Sequence, residues 1–299
     1  MRIQKCAICE KNNYQILYRE NIPPDKINEK VFSARRLPDK IHYQIVQCQN
    51  CGLVYSNPIF SLDKIKNLYR KSYVAYEESL ENLKKTYGHY LRQLENFAPK
   101  KNRLLDIGCG NGFFLEEALN QGYKEVFGVE PGKKSVLKAK PQIRKNIKID
   151  FFHASLFPKN FFDVITCFQT LDHIPDPNTF LKDCRWVLKK GGLMLFINHD
   201  VGHIVNRFLG EKSPIIDIEH TYLFDKKTIK KIFEKHHFKV LKVGSATNIH
   251  NLGYWIKLFP LANFLKLGLI NILKKTSLDT LKIKLAVGNL VVFARKNYY

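Results

Sequence analysis

From about residue 100 onward, short apolar runs alternate with longer amphipathic segments. The apolar runs are "RLLDIG", "EVFGVE", "FDVITCF" and "GLMLFIN". Between them, "GFFLEEALNQG" and "NTFLKDCRWVLKKG" repeat their apolar residues every three to four positions, as a helix packed on one face does. Strands that alternate with helices form a parallel sheet with helical crossovers. The pattern therefore predicts a doubly wound, mostly parallel α/β domain.

Helical periodicity precedes and follows this core. Apolar residues from Leu62 to Leu94 predict helices within residues 59–100, which end before Pro99. Further along, "DKKTIKKIFEKHH" predicts a helix, "FKVLKVGSA" a strand and "GNLVVFARK" a closing strand. We expect residues 59–299 to form one domain that carries an apolar helical insertion, residues 247–285, near the substrate side.

The insertion has two interpretations. It spaces Trp255, Phe264 and Leu265 as on a helix, with lysines such as Lys266 and Lys274 among them. Such a face packs on the core or over the active site, or it lies as an interfacial helix on anionic lipid. Charged residues and a proline interrupt it before it reaches the length of a transmembrane segment, so we expect peripheral membrane contact at most.

The chain of 299 residues is basic, with 49 Lys and Arg against 27 Asp and Glu and a formal net charge of +22. This charge permits contact with nucleic acid or an anionic membrane, although the basic residues are spread along the chain and are mostly lysine. The start "MRIQKCAICEKN" lacks the apolar region of a secretory signal. We therefore expect a cytoplasmic protein, or one peripheral to the inner membrane face, whose cysteines bind metal or stay free.

Four of the seven cysteines form two pairs, "CAIC" and "CQNC", at Cys6, Cys9, Cys48 and Cys51. A two-residue spacer lets both thiolates of a pair bind one tetrahedral ion, and two pairs complete a closed site. Four protein ligands leave no open coordination position, so the expected zinc is structural. Residues 1–58 are predicted to form a small zinc-ribbon-like module with a long insertion between the pairs.

The stretch "LLDIGCGNG" places an acid and three glycines on alternate positions: Asp106, Gly108, Gly110 and Gly112. Phe113 stands where a phosphate-binding P-loop or a dinucleotide fingerprint requires glycine. The second strand ends in Glu130, where a carboxylate can accept both hydroxyls of a ribose. Glycines for a close approach, one ribose ligand and no demand for a pyrophosphate suit S-adenosylmethionine (SAM).

Successive motifs, "LLDIGCGNGFF", "VFGVEP", "FDVITCFQTLDHIPDP" and "LKKGGLMLFIN", resemble those of class I SAM-dependent methyltransferases. The start "CAIC…CQNCGLVYSNP" and the later "IEHTYLFD" resemble a bacterial subgroup with an N-terminal zinc-binding segment. The resemblance implies a Rossmann-like methyltransferase that binds SAM around its first strands. The residues it implies are Asp106, Gly108, Cys109 and Gly110 at the methionine end, Glu130 at the ribose, Pro131 and Leu156 around the adenine, Ala154 and Ser155 near its amino group, and Gln169 at the fourth strand end.

Two histidines are candidate catalytic residues. His173 follows the fourth strand, and His220 lies in a connection expected to cover the site, whereas His199 is expected to be structural. The predicted reaction is methyl transfer to O, N or C of a small molecule or of a glycan or lipid-linked precursor. An rRNA or tRNA methyltransferase and a non-enzymatic binding protein are the alternatives.

Overall fold

A computed structural model of the protein describes residues 1–23, 27, 31–32, 40–71, 80–258 and 263–297. Two sheets organise these residues. The strands are β1 (Tyr14–Tyr18), β2 (Ile45–Cys48), β3 (Val54–Ser56), β4 (Arg103–Ile107), β5 (Glu125–Val129), β6 (Ile147–Lys148), β7 (Phe162–Phe168), β8 (Leu188–His199), β9 (Tyr222–Leu223), β10 (Phe238–Asn251) and β11 (Lys282–Lys296).

Helices cover the larger sheet and connect its strands. They are α1 (Leu62–Lys71), α2 (Leu80–Leu94), α3 (Phe113–Asn120), α4 (Lys133–Leu137), α5 (Pro141–Arg144), α6 (Pro177–Val187), α7 (Ile204–Leu209), α8 (Lys226–Lys235), α9 (Leu252–Leu258) and α10 (Asn263–Lys275). Side chains cap the N-termini of two of these helices. Asp176 accepts a hydrogen bond from Thr179 N at the start of α6, and Asp225 forms a capping box with Thr228 at the start of α8.

The larger sheet has the strand order β10-β11-β8-β7-β4-β5-β6. β8, β7, β4, β5 and β6 are parallel, and β11 enters antiparallel between β8 and β10. β7 is buried at every position, because both faces of a parallel sheet are covered and its sequence "FDVITCF" is a nearly continuous apolar run. The prediction of a doubly wound, mostly parallel α/β fold is confirmed. The carboxyl ends of the parallel strands share one edge, which we call the carboxyl edge.

The insertion predicted as helical over residues 247–285 is shorter than expected. Its two ends extend the antiparallel hairpin, with Asn248 opposite Leu285 and Ile249 opposite Lys284. These strand ends pack beside α2, where the Tyr90 hydroxyl accepts from Thr247 N at 2.7 Å. The helical part is confined to α9, α10 and a short 3₁₀ turn, and residues 259–262 lie outside the described part of the chain. None of the described helices combines the length and apolarity needed to cross a bilayer.

The smaller sheet has the order β1-β2-β3-β9 and is antiparallel throughout. Its fourth strand comes from far along the chain, since Tyr55 lies opposite Tyr222. One core cluster joins Cys6 and Tyr55 with Phe224 and Ile229. The module predicted over residues 1–58 is therefore completed by residues 222–223 and shares a core with the larger domain.

Candidate functional site

The first turn after β4 contains three glycines on alternate positions. Gly108, Gly110 and Gly112 have φ of +76°, +55° and +73°, a left-handed conformation that residues with a Cβ rarely adopt. A Cβ at Gly108 would lie 2.3 Å from Thr170 Oγ1. The Gly108 N–H donates to Val129 O at 2.9 Å and ties the turn to the end of β5. The turn therefore presents bare main chain at the carboxyl edge.

Glu130 follows β5 directly and lies beside this turn. Its Oε2 accepts from Gly110 N at 3.0 Å, and its Oε1 accepts from Gly132 N at 2.8 Å. Burial raises the pKa of Glu130, whereas these two N–H groups act in the opposite direction. Each carboxylate oxygen has a second lone pair, so Glu130 can also accept hydrogen bonds from a ligand's hydroxyls.

Asp106, the acid of the glycine motif, lies behind the turn in the centre of the sheet. It is 4% exposed, and Thr166 Oγ1 donates to its Oδ1 at 2.7 Å. Burial, and to a smaller extent the nearby Glu130, raises the pKa of Asp106 to about 8, against the effect of the Thr166 hydrogen bond. A buried acid of this kind gains its charge most readily when a cation lies close by.

Cys109 and Gln169, both predicted to bind the cofactor, have different surroundings. The Cys109 side chain is buried against β5, where a Cβ at Gly128 would lie 2.5 Å from its Sγ, so only its main chain faces the turn. Gln169 has a φ of +49°, and its buried Oε1 has no hydrogen-bond partner. A strained residue with an orphaned buried acceptor, at the end of a central strand, is typical of a ligand site.

The residues predicted around the adenine lie on two neighbouring loops. Pro131 follows Glu130 and is half-buried, and Ala154, Ser155 and Leu156 form a 3₁₀ turn after β6. The Ala154 N–H donates a hydrogen bond to the Asp183 carboxyl. The exposed side chain of Ser155 is then the polar group that this turn offers. The adenine contacts stay a prediction.

Three histidines come together beside the glycine turn. The ring of His220 lies 4.7 Å from that of His173 and 4.7 Å from that of His199, measured between centroids. The Tyr69 hydroxyl, from α1, is 2.9 Å from His173 Nδ1. The sequence predicts His173, His199 and His220 near the substrate, with His199 as a structural residue, and the three rings are indeed neighbours. It does not predict Tyr69 in this group.

Asp172 is a fully buried carboxylate that lies next to the three histidines. It was not predicted from the sequence. Its Oδ1 accepts from Asn198 Nδ2 at 2.5 Å. Its Oδ2 accepts from His199 N at 3.0 Å and lies 2.8 Å from His199 Nδ1. The available signal was an acid directly before His173, in the turn that follows a buried strand.

The position of His220 depends on the smaller sheet. Its Nδ1 lies 2.8 Å from Ile215 O, and its own carbonyl accepts from Ser56 Oγ at 2.8 Å. The next residue, Thr221, donates its N–H to Asp172 O at 2.8 Å. The loop that carries His220 is thus bonded to β3 on one side and to the strand end of β7 on the other.

The four paired cysteines converge. Cys6 Sγ lies 3.3 Å from Cys51 Sγ, and Cys9 Sγ lies 3.5 Å from Cys48 Sγ. All four sulfurs lie within 4.8 Å of one another, close to the separation of about 3.8 Å that tetrahedral zinc thiolates require. Burial raises the pKa of Cys48, but two backbone N–H groups and the contact with Cys9 outweigh it and lower the pKa to about 7.

The two cysteine turns have the same geometry. Glu10 follows one pair and Gly52 the other, with φ of +61° and +82°. The N–H of each donates at 2.9 Å to the carbonyl of the first cysteine of its pair, Cys6 or Cys48. Two matching turns that aim four sulfurs at one point could hold a metal ion. Elsewhere in the described residues, Asp172, His199 and His220 also offer ligand atoms within 4.8 Å of one another.

Comparison with known proteins places the chain among methyltransferases. The sequence profile of a family described as "methyltransferase domain" matches residues 79–243, more than half of the chain. Ubiquinone biosynthesis O-methyltransferases of Pelagibacter ubique and Proteus mirabilis are 41% and 32% identical to it over 101 residues. These stretches cover 32% and 31% of this chain and 42% and 40% of the relatives. The chain therefore spans less than half the length of the curated relatives it matches.

A solved structure supports the fold. The complex between the Haloferax volcanii Trm112 methyltransferase activator and a methyltransferase contains a chain that aligns with a TM-score of 0.51 at 14% identity. The alignment covers 74% of this chain and 95% of that one.

Proposed function

Because the chain belongs to the class I SAM-dependent methyltransferases, we propose that it transfers a methyl group from SAM to a small-molecule acceptor, with a hydroxyl oxygen as the acceptor atom. The observation that carries this proposal is the contact between two parts of the site. Gly108 lies so close to Thr170 that a Cβ would not fit, and Thr170 begins the segment with Asp172 and His173. The glycine turn and the histidines therefore adjoin.

The residues of the glycine turn fit the methyl donor. SAM carries a sulfonium and an ammonium, and in a chain of net charge +22 the turn is flanked by two carboxyl groups, those of Asp106 and Glu130. Asp106, Gly108 and Gly110 would hold its methionine end and Glu130 its ribose, while Gln169 offers its orphaned Oε1. When bound, the sulfonium makes the methyl carbon electrophilic.

The histidines supply the complementary chemistry. As the acceptor oxygen bonds to the methyl carbon, the carbon–sulfur bond breaks and its electron pair stays on sulfur, so the hydroxyl proton needs an acceptor. The carbonyl of Ile215 can only accept, so His220 Nδ1 carries the hydrogen and Nε2 is the basic nitrogen. Asp172 selects the same tautomer in His199. We assign the general base to His220, with His173 as a second candidate and His199 as its neighbour in the site.

The names of the matched relatives bear on the acceptor. The matched relatives are named for O-methylation in ubiquinone biosynthesis, which supports a small molecule with a hydroxyl. A glycan or lipid-linked precursor is a narrower form of the same proposal. An RNA acceptor is not favoured, since those relatives are named for small-molecule chemistry.

We further propose that Cys6, Cys9, Cys48 and Cys51 bind a structural zinc ion. Four thiolates around Zn²⁺ leave a net charge of about −2, and two lysines of α8 approach the cysteine turns. Lys235 Nζ donates to Ala7 O at 2.7 Å, and Lys231 Nζ donates to Cys51 O at 3.2 Å. The ion would hold β2 and β3 in place and, through Ser56, the loop of His220.

Calorimetric titration with SAM and with its demethylated product tests the donor site. Glu130→Ala should weaken binding by at least about tenfold, since two ribose hydrogen bonds to a charged acceptor are lost. Glu125→Ala, at the exposed start of the same strand, is the matched control and should leave the affinity unchanged. Equal affinities in both variants would contradict the ribose assignment.

The acceptor class can be found with SAM that carries a labelled methyl group. We expect label in the lipid or small-molecule fraction of a cell extract. Label in the RNA fraction, with binding that falls steeply as salt rises, would replace the small-molecule proposal by the RNA alternative.

A further inference from the structure

The outer half of the β10–β11 hairpin projects beyond the carboxyl edge. β8 ends at His199, which lies opposite Asn289 of β11. Residues 247–251 and 282–288 therefore continue past the last paired residue of β8, and α9 and α10 connect them. We call the described residues 247–258 and 263–288 the hairpin tip. Since His199 belongs to the histidine group, the tip extends on the side of the sheet that carries the site.

Helix α10 exposes most of its apolar residues. Ile270 is its buried contact, at 8% exposure, whereas Phe264 and Leu267 are 73% and 63% exposed and Ile272 is 63% exposed. Leu265 and Leu269 are exposed as well. Burying these side chains elsewhere is favourable by about 25 cal/mol per Å². Patches of this kind on a monomer mark a surface that contacts something else.

A second exposed apolar element leaves the same edge. Helix α7 begins shortly after His199, and its Ile204 and Phe208 are 77% and 89% exposed. It is tied to the base of the tip, because Asn206 Nδ2 donates to Gly288 O at 3.3 Å. Two apolar surfaces therefore lie at the carboxyl edge, which carries the candidate site.

The tip is also basic. Between residues 248 and 288 the sequence has one acid, Asp279, against six lysines. Four of these lysines are exposed: Lys274, Lys275, Lys282 and Lys284. The side chains of Lys282 and Lys85 of α2 are in hydrogen-bond contact, and this contact, together with the charge of Lys85, lowers the pKa of Lys282. Like charges crowded on an exposed surface favour an anionic partner.

We propose that the hairpin tip docks on the surface of an anionic lipid bilayer, with the apolar side chains of α10 inserted among the acyl chains and the lysines against the headgroups. This chemistry fits a bilayer better than other partners. A second copy of the chain would bring the same positive charges together, and RNA would give the exposed leucines no apolar surface to bury against. Docking does not depend on the proposed methyl transfer, although it would bring the site close to acceptors dissolved in the membrane.

Sedimentation with vesicles tests the docking on the full chain. We expect binding to vesicles of equal parts phosphatidylglycerol and phosphatidylcholine and much weaker binding to phosphatidylcholine alone. The double variant Leu267→Glu, Ile272→Glu should lower binding at least about 100-fold, and Lys274→Ala with Lys275→Ala about 30-fold. Leu119→Glu, at an exposed apolar position of α3, is the control and should bind as the unmodified chain does.

The depth of insertion gives a second measurement. The chain has two tryptophans, so Trp186→Phe leaves Trp255 of α9 as the reporter. Brominated acyl chains in the anionic vesicles should quench its fluorescence. Three outcomes would overturn the proposal. The chain does not bind vesicles, it binds the two lipid compositions equally, or the α10 substitutions abolish only self-association or RNA binding. SAM titration of the same samples reports separately on the donor site.

Discussion

On the proposed donor side of the site, most residues come from one short stretch, Asp106 to Gly112, and Glu130 and Gln169 join it from the ends of the two neighbouring strands. On the proposed acceptor side, the histidines come from three separate segments, at His173, His199 and His220. Local backbone geometry is enough to make the donor turn. The acceptor side exists only where the strand ends of β7 and β8 meet a loop that the smaller sheet holds.

Substitutions should therefore affect donor binding and methyl transfer separately. Ser56, which bonds the carbonyl of His220, belongs to a strand next to the cysteine-bearing β2. Within the described part of the chain, the glycine turn has no comparable bond to the smaller sheet and is held by β5. Damage to the cysteine module should disable methyl transfer while the donor still binds.

The largest effect is expected from loss of the metal. Cys48→Ser with Cys51→Ser should abolish zinc binding and lower turnover about 1,000-fold, because β2 and β3 would no longer hold the loop that carries the proposed base, His220. Donor affinity should change less than about threefold. Metal analysis, turnover and SAM titration measure these three quantities. Asn50→Ser, in the same cysteine turn, is the control; full activity without bound metal would refute the structural role.

Removal of the proposed base should have the next largest effect. His220→Ala should lower kcat by about 100- to 1,000-fold, since general bases contribute factors of this size, and should leave SAM affinity unchanged. His237→Asn, at an exposed position with a φ of +61° that asparagine tolerates, controls for histidine loss. If His220→Ala keeps its kcat, His173 would be the general base instead.

A substitution in the glycine turn should instead weaken donor binding. Gly108→Ala should weaken SAM binding by about 30- to 100-fold, because a Cβ would meet Thr170 and the φ of +76° would be strained. Gly268→Ala is the control, since nothing lies within 4 Å of its Cβ position. Calorimetry measures both affinities; unchanged binding in Gly108→Ala would mean that the turn does not hold the donor.

The smallest effect concerns pH. Asp106, with a pKa of about 8, is largely protonated in the ligand-free protein at neutral pH, and its carboxylate should bind the cationic donor better. SAM affinity should therefore rise by about tenfold between pH 6 and pH 9, with release of a proton.

The pH dependence of thermal stability tests the raised pKa of Asp106 independently. A folded-state pKa raised from 3.8 to about 8 means that Asp106 favours the folded state fully below about pH 4 and that this contribution is lost as pH rises through about 8. In Asp106→Asn the thermal stability should fall less over this range. An identical pH dependence in both proteins would show that Asp106 does not titrate there.

Sequence reasoning succeeded where the determining contacts are local. The glycine turn, the strand and helix alternation and the cysteine pairs each depend on spacing within a short stretch. Asp172 was missed, because its importance comes from Asn198 and His199 on a neighbouring strand.

The hairpin was misjudged for a different reason. "KIKLAV", from Lys282, alternates polar and apolar residues at first, as an edge strand does, but the helical spacing of α10 was extended over it. The fourth strand of the smaller sheet could not be found from residues 1–58, because Tyr222 and Leu223 read as an ordinary connection.

The late position of β9 has a consequence for the order of assembly during translation. The four cysteines leave the ribosome long before Tyr222 and Leu223, so a metal can be captured while the open edge of β3 still lacks its neighbour. That edge closes only when the loop of His220 has been synthesised. The proposed acceptor side is therefore completed at the same moment as the smaller sheet, whose first three strands are synthesised early.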